Sequence, residues 1–188
     1  FLLLLLISAY ITPFIETSER ISDDVFRLHI LANSDEEHDQ SLKLKVRDAV
    51  LEKGQRVFTD CRSLEETISS CESNLDLFQT TAQDCINQNG YSYSVKAYVD
   101  REYFNTREYE EITLPSGIYN ALKIEIGEAK GHNWWCVMFP AICLPAVSEN
   151  EMNDILDEEE MDLISKGSKF EIRFKIVEVY EKIKSKFA

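Results

Sequence analysis

The spacing of apolar and polar residues changes several times along the chain, and each change predicts a different secondary-structure element. Residues 26–31 (FRLHIL) alternate between apolar and polar positions, which predicts a strand. The apolar positions that follow, between residues 42 and 57, recur at helical spacing. Ser34 and Glu37 have the spacing of a capping box, so the sequence predicts that this helix begins at that pair.

A second helix is predicted between residues 64 and 86, where apolar residues recur at helical steps. Asn89 and Gly90 end it, because glycine readily adopts the left-handed backbone geometry found at helix ends. We interpret its apolar face as packing on a sheet rather than as a coiled coil, with the two cysteines acting as small apolar residues. The face consists of Leu64, Ile68, Cys71, Leu75, Phe78, Ala82 and Cys85.

Further alternating segments predict strands at residues 91–100, 122–126 and 134–139, with 108–114 as a candidate for another. Consecutive strands separated by turns are expected to form an antiparallel meander. Residues 145–169 are acidic and predict a loop or a short helix, and residues 170–187 predict a helix. The expected fold class is α+β, with an antiparallel sheet covered by helices.

The N-terminal segment differs from the rest of the chain in composition. Residues 1–15 carry no charged side chain and open with the run FLLLLLI, which predicts a hydrophobic export or anchor segment. Residues 16–25 are polar and predict a linker, so that residues 26–188 form a single α+β domain. Export brings cysteines into an oxidising compartment, and the count of five leaves at least one thiol unpaired within a monomer.

The net charge excludes some classes of partner. The chain carries 20 Lys and Arg against 34 Asp and Glu, a formal charge of -14. Such a protein is repelled by phosphate backbones and by anionic membrane surfaces, so we expect no nucleic acid as a partner and membrane contact only through the N-terminal segment. The sequence contains no CxxC pair, zinc-ligand spacing, EF-hand, P-loop or dinucleotide fingerprint, and we expect no metal and no cofactor.

The segment from Gly131 to Cys136 is the best candidate for recognition of another protein. Its two adjacent tryptophans must point to opposite faces of a strand, so both cannot enter one core. An exposed aromatic residue would anchor a protein contact, although both faces of the strand could equally be covered by protein. The candidate partner-binding residues are His132, Asn133, Trp134 and Trp135.

Cys136 allows two different interpretations. It can form a disulfide with Cys143, since Pro140 between them can reverse the chain and so short a loop would contribute roughly 2–3 kcal/mol. Alternatively, Cys136 and His132 could be the nucleophile and base of an envelope-localised cysteine hydrolase. In a strand these two residues would lie about 13 Å apart, which argues against the hydrolase.

Two long segments together resemble the stage II sporulation protein R family. The first comprises residues 29–35 (HILANSD) and 39–50 (DQSLKLKVRDAV). The second comprises residues 114–119 (LPSGIY), Gly127, residues 131–140 (GHNWWCVMFP) and Cys143. The resemblance covers roughly residues 26–143 in unchanged order. Cys61, Cys71 and Cys85 depart from the family pattern.

The resemblance implies a signalling protein rather than an enzyme. A member of this family is made in the forespore of an endospore-forming bacterium and is secreted into the space between the forespore and mother-cell membranes. There it activates a membrane-embedded aspartic protease, which matures the sigma-E precursor in the mother cell. This expectation agrees with the lack of a catalytic motif in the sequence.

Overall fold

The computed structural model of the chain describes residues 2–109, 112–140, 152, 155–165 and 171–184. The chain divides into two compact units, and the single domain predicted over residues 26–188 includes parts of both. The sheet unit comprises residues 26–100 and 120–143, and the terminal unit comprises residues 1–25, 101–119 and 144–188.

The fold is α+β as predicted, but its sheet is mixed rather than antiparallel. The strands are β1 (Phe26–Leu31), β2 (Val95–Phe104), β3 (Arg107–Glu108), β4 (Thr113–Leu114), β5 (Gly117–Ile126) and β6 (Asn133–Phe139). The four-stranded sheet has the order β2-β5-β1-β6, and β3 pairs with β4 separately. β1 runs parallel to β5 and antiparallel to β6. The predicted meander is wrong because β1 lies between β5 and β6, which therefore do not pair with each other. Three helices and strands β2, β3 and β4 separate β1 from its parallel neighbour β5, which makes that connection a crossover.

Three helices belong to the sheet unit: α2 (Glu37–Val57), α3 (Leu64–Ser73) and α4 (Leu75–Gln88). The single helix predicted over residues 64–86 is therefore two helices, divided at Asn74. Phe58, directly after α2, links this layer to the sheet, since its ring centroid lies 6.1 Å from that of Phe26 and 6.0 Å from that of Phe78.

In the core of the sheet unit, alternate side chains of each strand point to the same face of the sheet. One face of β1 and β5 is fully buried, and α2 contributes buried aliphatic residues to the same unit. Each such side chain stabilises the fold by roughly 1.5–3 kcal/mol when it leaves water. The buried residues that the strands and α2 contribute to this core are Phe26, Leu28, Ile30, Leu122, Ile124, Val46 and Val50.

Two local predictions for the sheet unit are wrong. Ser34 does not cap α2, because the helix begins at Glu37 and its N-cap Glu36 makes no side-chain cap hydrogen bond. The Ser34 hydroxyl instead donates to Asp39. The predicted strand at residues 91–100 begins only at Val95 and extends to Phe104, because Tyr91 and Tyr93 stack on each other outside the sheet.

The terminal unit contains α1 (Leu2–Asp24), α5 (Glu158–Ile164) and α6 (Glu171–Lys184). Residues 16–24, predicted as a linker, continue α1, because Ile21 is buried and Arg20 donates to Glu159 and Glu160. Residues 145–169, predicted as a loop or a short helix, contain α5, and α6 lies within the helix predicted over residues 170–187. Among the described residues, no helix combines the length and apolar character needed to cross a membrane.

Candidate functional site

The two segments that carry the family resemblance meet at one end of the sheet. There the carboxyl end of β1 lies beside the amino end of β6, with Leu31 opposite Asn133. Beyond the strands, the Gly131 N–H donates to the Ala32 carbonyl at 3.0 Å, and the Lys130 N–H donates to the Asn33 carbonyl at 3.2 Å. These bonds join the loops 32–36 and 127–132 into one structure, which we call the edge junction.

Gly131 is required by the close approach of the two loops. A Cβ atom at this position would lie 2.1 Å from the carbonyl oxygen of Ser34, a backbone atom that cannot move by itself. Gly127 has a positive φ of 59° and lies against Asn33, whose Oδ1 accepts the Glu128 N–H at 3.0 Å. Both glycines of the motif therefore permit contacts that any side chain would prevent.

Asp39 is the buried centre of the edge junction. Its side chain is 2% exposed, and one carboxylate oxygen accepts hydrogen bonds from Asn33 Nδ2 at 2.8 Å and Ser34 Oγ at 2.6 Å. The other oxygen lies 3.3 Å from His38 Nε2. Burial opposes ionisation, but the hydrogen bonds from Ser34, Asn33 and Tyr93 outweigh it and lower the pKa of Asp39. The carboxylate thus fixes the loop that leaves β1.

Asp35 and Lys43 position the loop that enters β6. Asp35 Oδ1 accepts the backbone N–H of His132 at 2.6 Å and lies 2.5 Å from His132 Nδ1. Lys43 donates to the His132 carbonyl at 2.9 Å and to Gln40 Oε1 at 2.6 Å. Burial lowers the pKa of Lys43, and the charge of Asp35 opposes that shift. The His132 side chain itself stays 78% exposed at the surface of the junction.

The adjacent tryptophans lie on opposite faces of the sheet. Trp134 stands opposite Ile30, and the Arg47 guanidinium of α2 lies 4.3 Å from the centre of its ring. Trp135 stands opposite His29, and their rings meet edge to face at 5.7 Å. Both tryptophans are half-buried. Only Trp134 therefore faces the helix layer.

The face of Trp135 is polar at the edge junction. His29 is only 6% exposed, and its Nε2 lies 3.0 Å from Oδ1 of Asn133, whose own residue is exposed. Of the four candidate partner-binding residues, His132 and Asn133 are exposed, whereas Trp134 and Trp135 are half-buried. Their role in binding a partner stays a prediction.

Cys136 and His132, the alternative nucleophile and base, lie in different surroundings. Cys136 is fully buried opposite Leu28, on the face that the helices cover. His132 is exposed at the edge junction, with its Nδ1 directed to Asp35. The predicted disulfide stays a prediction, since Cys143 lies outside the described residues. Among those residues, no group of three or more His, Cys, Asp and Glu side chains could hold a metal ion.

Asp39, which organises the edge junction, was not among the site residues predicted from the sequence. One signal could have identified Asp39, because it stands on the same helical face as Leu42, Val46 and Val50. A carboxylate on an apolar face must find hydrogen-bond donors when it is buried. Asp35 gave no such signal, since its partner His132 is 97 residues away.

These observations define an α+β protein in which two distant sequence motifs build one junction at the edge of a mixed sheet. The family model described as stage II sporulation protein R matches residues 22–149. The chain is also 37% identical over 131 residues to Stage II sporulation protein R of Bacillus subtilis (strain 168), which covers 70% of this chain and 58% of that protein. The chain belongs to the stage II sporulation protein R family, as the sequence motifs indicated.

The chain spans somewhat more than half the length of this curated relative, at 58%. No solved structure matches the chain. The family match includes both loops of the edge junction as well as β1 and β6.

Proposed function

We propose that this protein is an intercellular sporulation signal that activates a protease and catalyses no reaction itself. It is made in the forespore and secreted into the space between the forespore and mother-cell membranes. There it activates a membrane-embedded aspartic protease, and this protease matures the sigma-E precursor in the mother cell.

The observation that carries this proposal is the family match over residues 22–149. It includes the edge junction, in which residues of both motifs contact each other. Asp39, Gly127 and Gly131 hold the loops of the edge junction together. Motifs that build a fixed surface are compatible with recognition by another protein.

The N-terminal segment supports the proposed location. Residues 1–7 (FLLLLLI) have the uninterrupted apolar character of a segment that directs export or anchors a protein at a membrane. A signal that is received by a protease in another membrane must first leave the cell that made it. Export is therefore the first requirement to test.

The test uses an endospore-forming host that lacks its own member of the family. The full-length protein is expressed in the forespore either unchanged or with Leu4→Arg and Leu5→Arg, which interrupt the apolar run. We expect the unchanged protein to restore maturation of the sigma-E precursor, measured by immunoblot. The arginine variant should remain in the forespore cytoplasm and restore none, because charged residues inside the apolar run prevent export.

A matched control places the same substitution at exposed leucines of the sheet unit. Leu44 and Leu77 are 37% and 40% exposed, so Leu44→Arg and Leu77→Arg should leave both export and maturation intact. Full maturation with a variant shown to be cytoplasmic would contradict the proposal. A second arm combines the purified protease in lipid vesicles with its precursor substrate, and cleavage must depend on addition of this protein.

A further inference from the structure

One side of the second half of α1 is buried. The buried positions recur at steps of three and four residues, which is the period of a helix that packs through one face. Three of these residues carry hydroxyl groups, so hydropathy does not reveal the pattern. The buried positions are Phe14, Thr17, Ser18, Ile21, Ser22 and Val25. Residues 16–25 thus combine the composition of a linker with the burial of a core helix.

The buried hydroxyl groups are satisfied by the helix itself. Thr17 Oγ1 donates to the Pro13 carbonyl at 3.0 Å, and Ser18 Oγ donates to the Phe14 carbonyl at 2.8 Å. Bonds of this kind to the preceding turn exist only while the backbone is helical. The burial of these side chains therefore depends on an intact helix from Pro13 onward.

The same half of α1 contacts two later segments of the terminal unit. The ring of Phe14 meets that of Phe174 in α6 edge to face, with 5.6 Å between the ring centroids. Arg20 Nη2 lies 3.0 Å from Glu159 Oε2, and Arg20 Nε lies 3.2 Å from Glu160 Oε1. The Glu160 side chain is only 4% exposed, so loss of Arg20 would leave a buried carboxylate without this cation. A protein that lacked residues 14–25 would lose contacts to both α5 and α6.

The exposure of α1 changes at Phe14. Ala9, Thr12 and Pro13 are exposed, whereas Phe14 is buried. Thr12 and Pro13 also have the sequence of a helix start, because threonine is a favoured N-cap residue and proline is a favoured first helical residue. The packed half of α1 can therefore begin at Thr12 when the chain before it has been removed.

We propose that the exported protein keeps α1 from Phe14 onward, so that a leader peptidase that releases the apolar run cuts before Phe14. Ser8 and Ala9 are small residues directly after that run, where such peptidases cut. The cut is the hydrolysis of one peptide bond: water gives a hydroxyl group to the new carboxyl end of the released segment and a hydrogen to the new amino group. An unpacked linker at residues 16–25 would be open to the same cut, but the packed helix is not.

Limited digestion of the full chain with trypsin tests the packing without any export. Arg20 is the only lysine or arginine in residues 1–26, so cleavage after it reports on this stretch alone. We expect that cleavage to be at least about tenfold slower than cleavage after Arg62, an equally exposed class of residue in the loop between α2 and α3. Equal rates would overturn the proposal, because a linker is cut as fast as a loop.

A distant substitution tests whether the protection comes from packing. Phe174→Ala removes the ring that meets Phe14 and should speed cleavage after Arg20 about tenfold. Val179→Ala is the matched control, since Val179 lies in the same helix and is 61% exposed. An unchanged rate with Phe174→Ala, or an equal increase with Val179→Ala, would overturn the proposal. If Phe174→Ala does not fold, Phe174→Leu replaces it, with a smaller increase expected.

The N-terminus of the exported protein gives the direct measurement, and this part alone rests on the proposed export. Mass spectrometry of the protein recovered outside the forespore cytoplasm identifies its first residue. A first residue at or before Phe14 agrees with the proposal, whereas a first residue between Ile15 and Phe26 overturns it. If no protein is exported, the proposed location is wrong, and the trypsin digestion still decides whether residues 14–25 belong to the core.

Discussion

At the scale of single residues, Asp39 explains why the motif HILANSD is followed by an acidic residue inside a helix. A buried carboxylate is unfavourable unless donors surround it, and Asn33 and Ser34 supply them from the loop that leaves β1. The helix and the loop are thus fixed to each other by an ionised group. Substitution of that group should test the edge junction directly.

We predict that Asp39→Asn destabilises the protein by about 3 kcal/mol, because the amide presents its own donors to the donors of Asn33 and Ser34. Chemical denaturation measures this free energy of unfolding. Glu52→Gln is the control, since it removes a carboxylate of the same helix whose pair with Arg56 is largely exposed. That change should stay within about 0.5 kcal/mol. Equal effects of the two substitutions would contradict the role of Asp39.

The same carboxylate predicts a pH dependence. The pKa of Asp39 is lowered in the folded protein from its ordinary value of 3.8, so its contribution is fully present above about pH 3.8 and is lost as the pH falls through the lowered value. The difference in unfolding free energy between the unchanged protein and Asp39→Asn should therefore narrow in acid. Denaturation at pH 7 and at successively lower pH tests this, and a constant difference would disprove it.

Gly131 gives a second prediction at this scale. We expect Gly131→Ala to lower the free energy of unfolding by roughly 3 kcal/mol. The added Cβ would meet a backbone carbonyl, so the edge junction must shift. Gly90→Ala serves as the comparison, since Gly90 has a positive φ of 83° but no atom within 4 Å of the added Cβ. Gly90→Ala should lower the free energy of unfolding by only about 1 kcal/mol, because a residue with a Cβ atom adopts a positive φ less readily than glycine. Denaturation midpoints compare the two, and a milder effect at Gly131 would contradict the close approach.

At the scale of elements, the alternation of β6 places its two tryptophans on opposite faces of the sheet. Trp134 packs toward α2 under Arg47, whereas Trp135 faces the other side of the sheet beside His29 and Asn133. The general prediction that one of the two tryptophans contacts a partner can thus be assigned to Trp135. Trp134 is then part of the contact between strand and helix.

We predict that Trp134→Ala lowers the unfolding free energy by roughly 3 kcal/mol, through lost packing and the lost Arg47 contact. Trp135→Ala should lower the unfolding free energy by less than half as much as Trp134→Ala, and it should abolish protease activation. Thermal unfolding and precursor processing are measured on both variants. If Trp135→Ala unfolds the protein, or retains full activation, the partner binds elsewhere.

At the scale of the whole molecule, the environment of each cysteine predicts its reactivity. Cys71 is fully buried, and loss of solvation raises the pKa of its thiol to about 12. Cys61 is partly exposed, so alkylation of the folded protein should label Cys61 and leave Cys71 unmodified. Unfolding in denaturant should then make Cys71 reactive. Labelling of Cys71 in the folded protein would contradict the packing of α3.

The exported protein should also contain a disulfide between Cys136 and Cys143. Mass spectrometry of the non-reduced protein would show a peptide linked through these residues. The forespore-retained variant with Leu4→Arg and Leu5→Arg is the control, because the reducing cytoplasm should leave both thiols free. Detection of both as free thiols in the exported protein would contradict the disulfide.

The amino-acid sequence by itself determined the features that depend on near neighbours in the chain. The alternation of β1 and β6, the opposite faces of Trp134 and Trp135, the end of α4 just before Asn89 and Gly90, and the helix at residues 171–184 all follow from periodicity or from one residue's backbone preference. The family motifs were also readable, because they consist of residue identities. The net charge also follows from the sequence, and the expectation that nucleic acid is not a partner stays a prediction.

Only the tertiary structure decided which elements and side chains meet. Periodicity predicts that β1 is a strand, but its parallel pairing with β5 depends on how three helices carry the chain across the sheet. The Asp35–His132 contact joins residues 97 positions apart. Such contacts leave no local pattern, because their free energy comes from groups that become neighbours only when the core is packed.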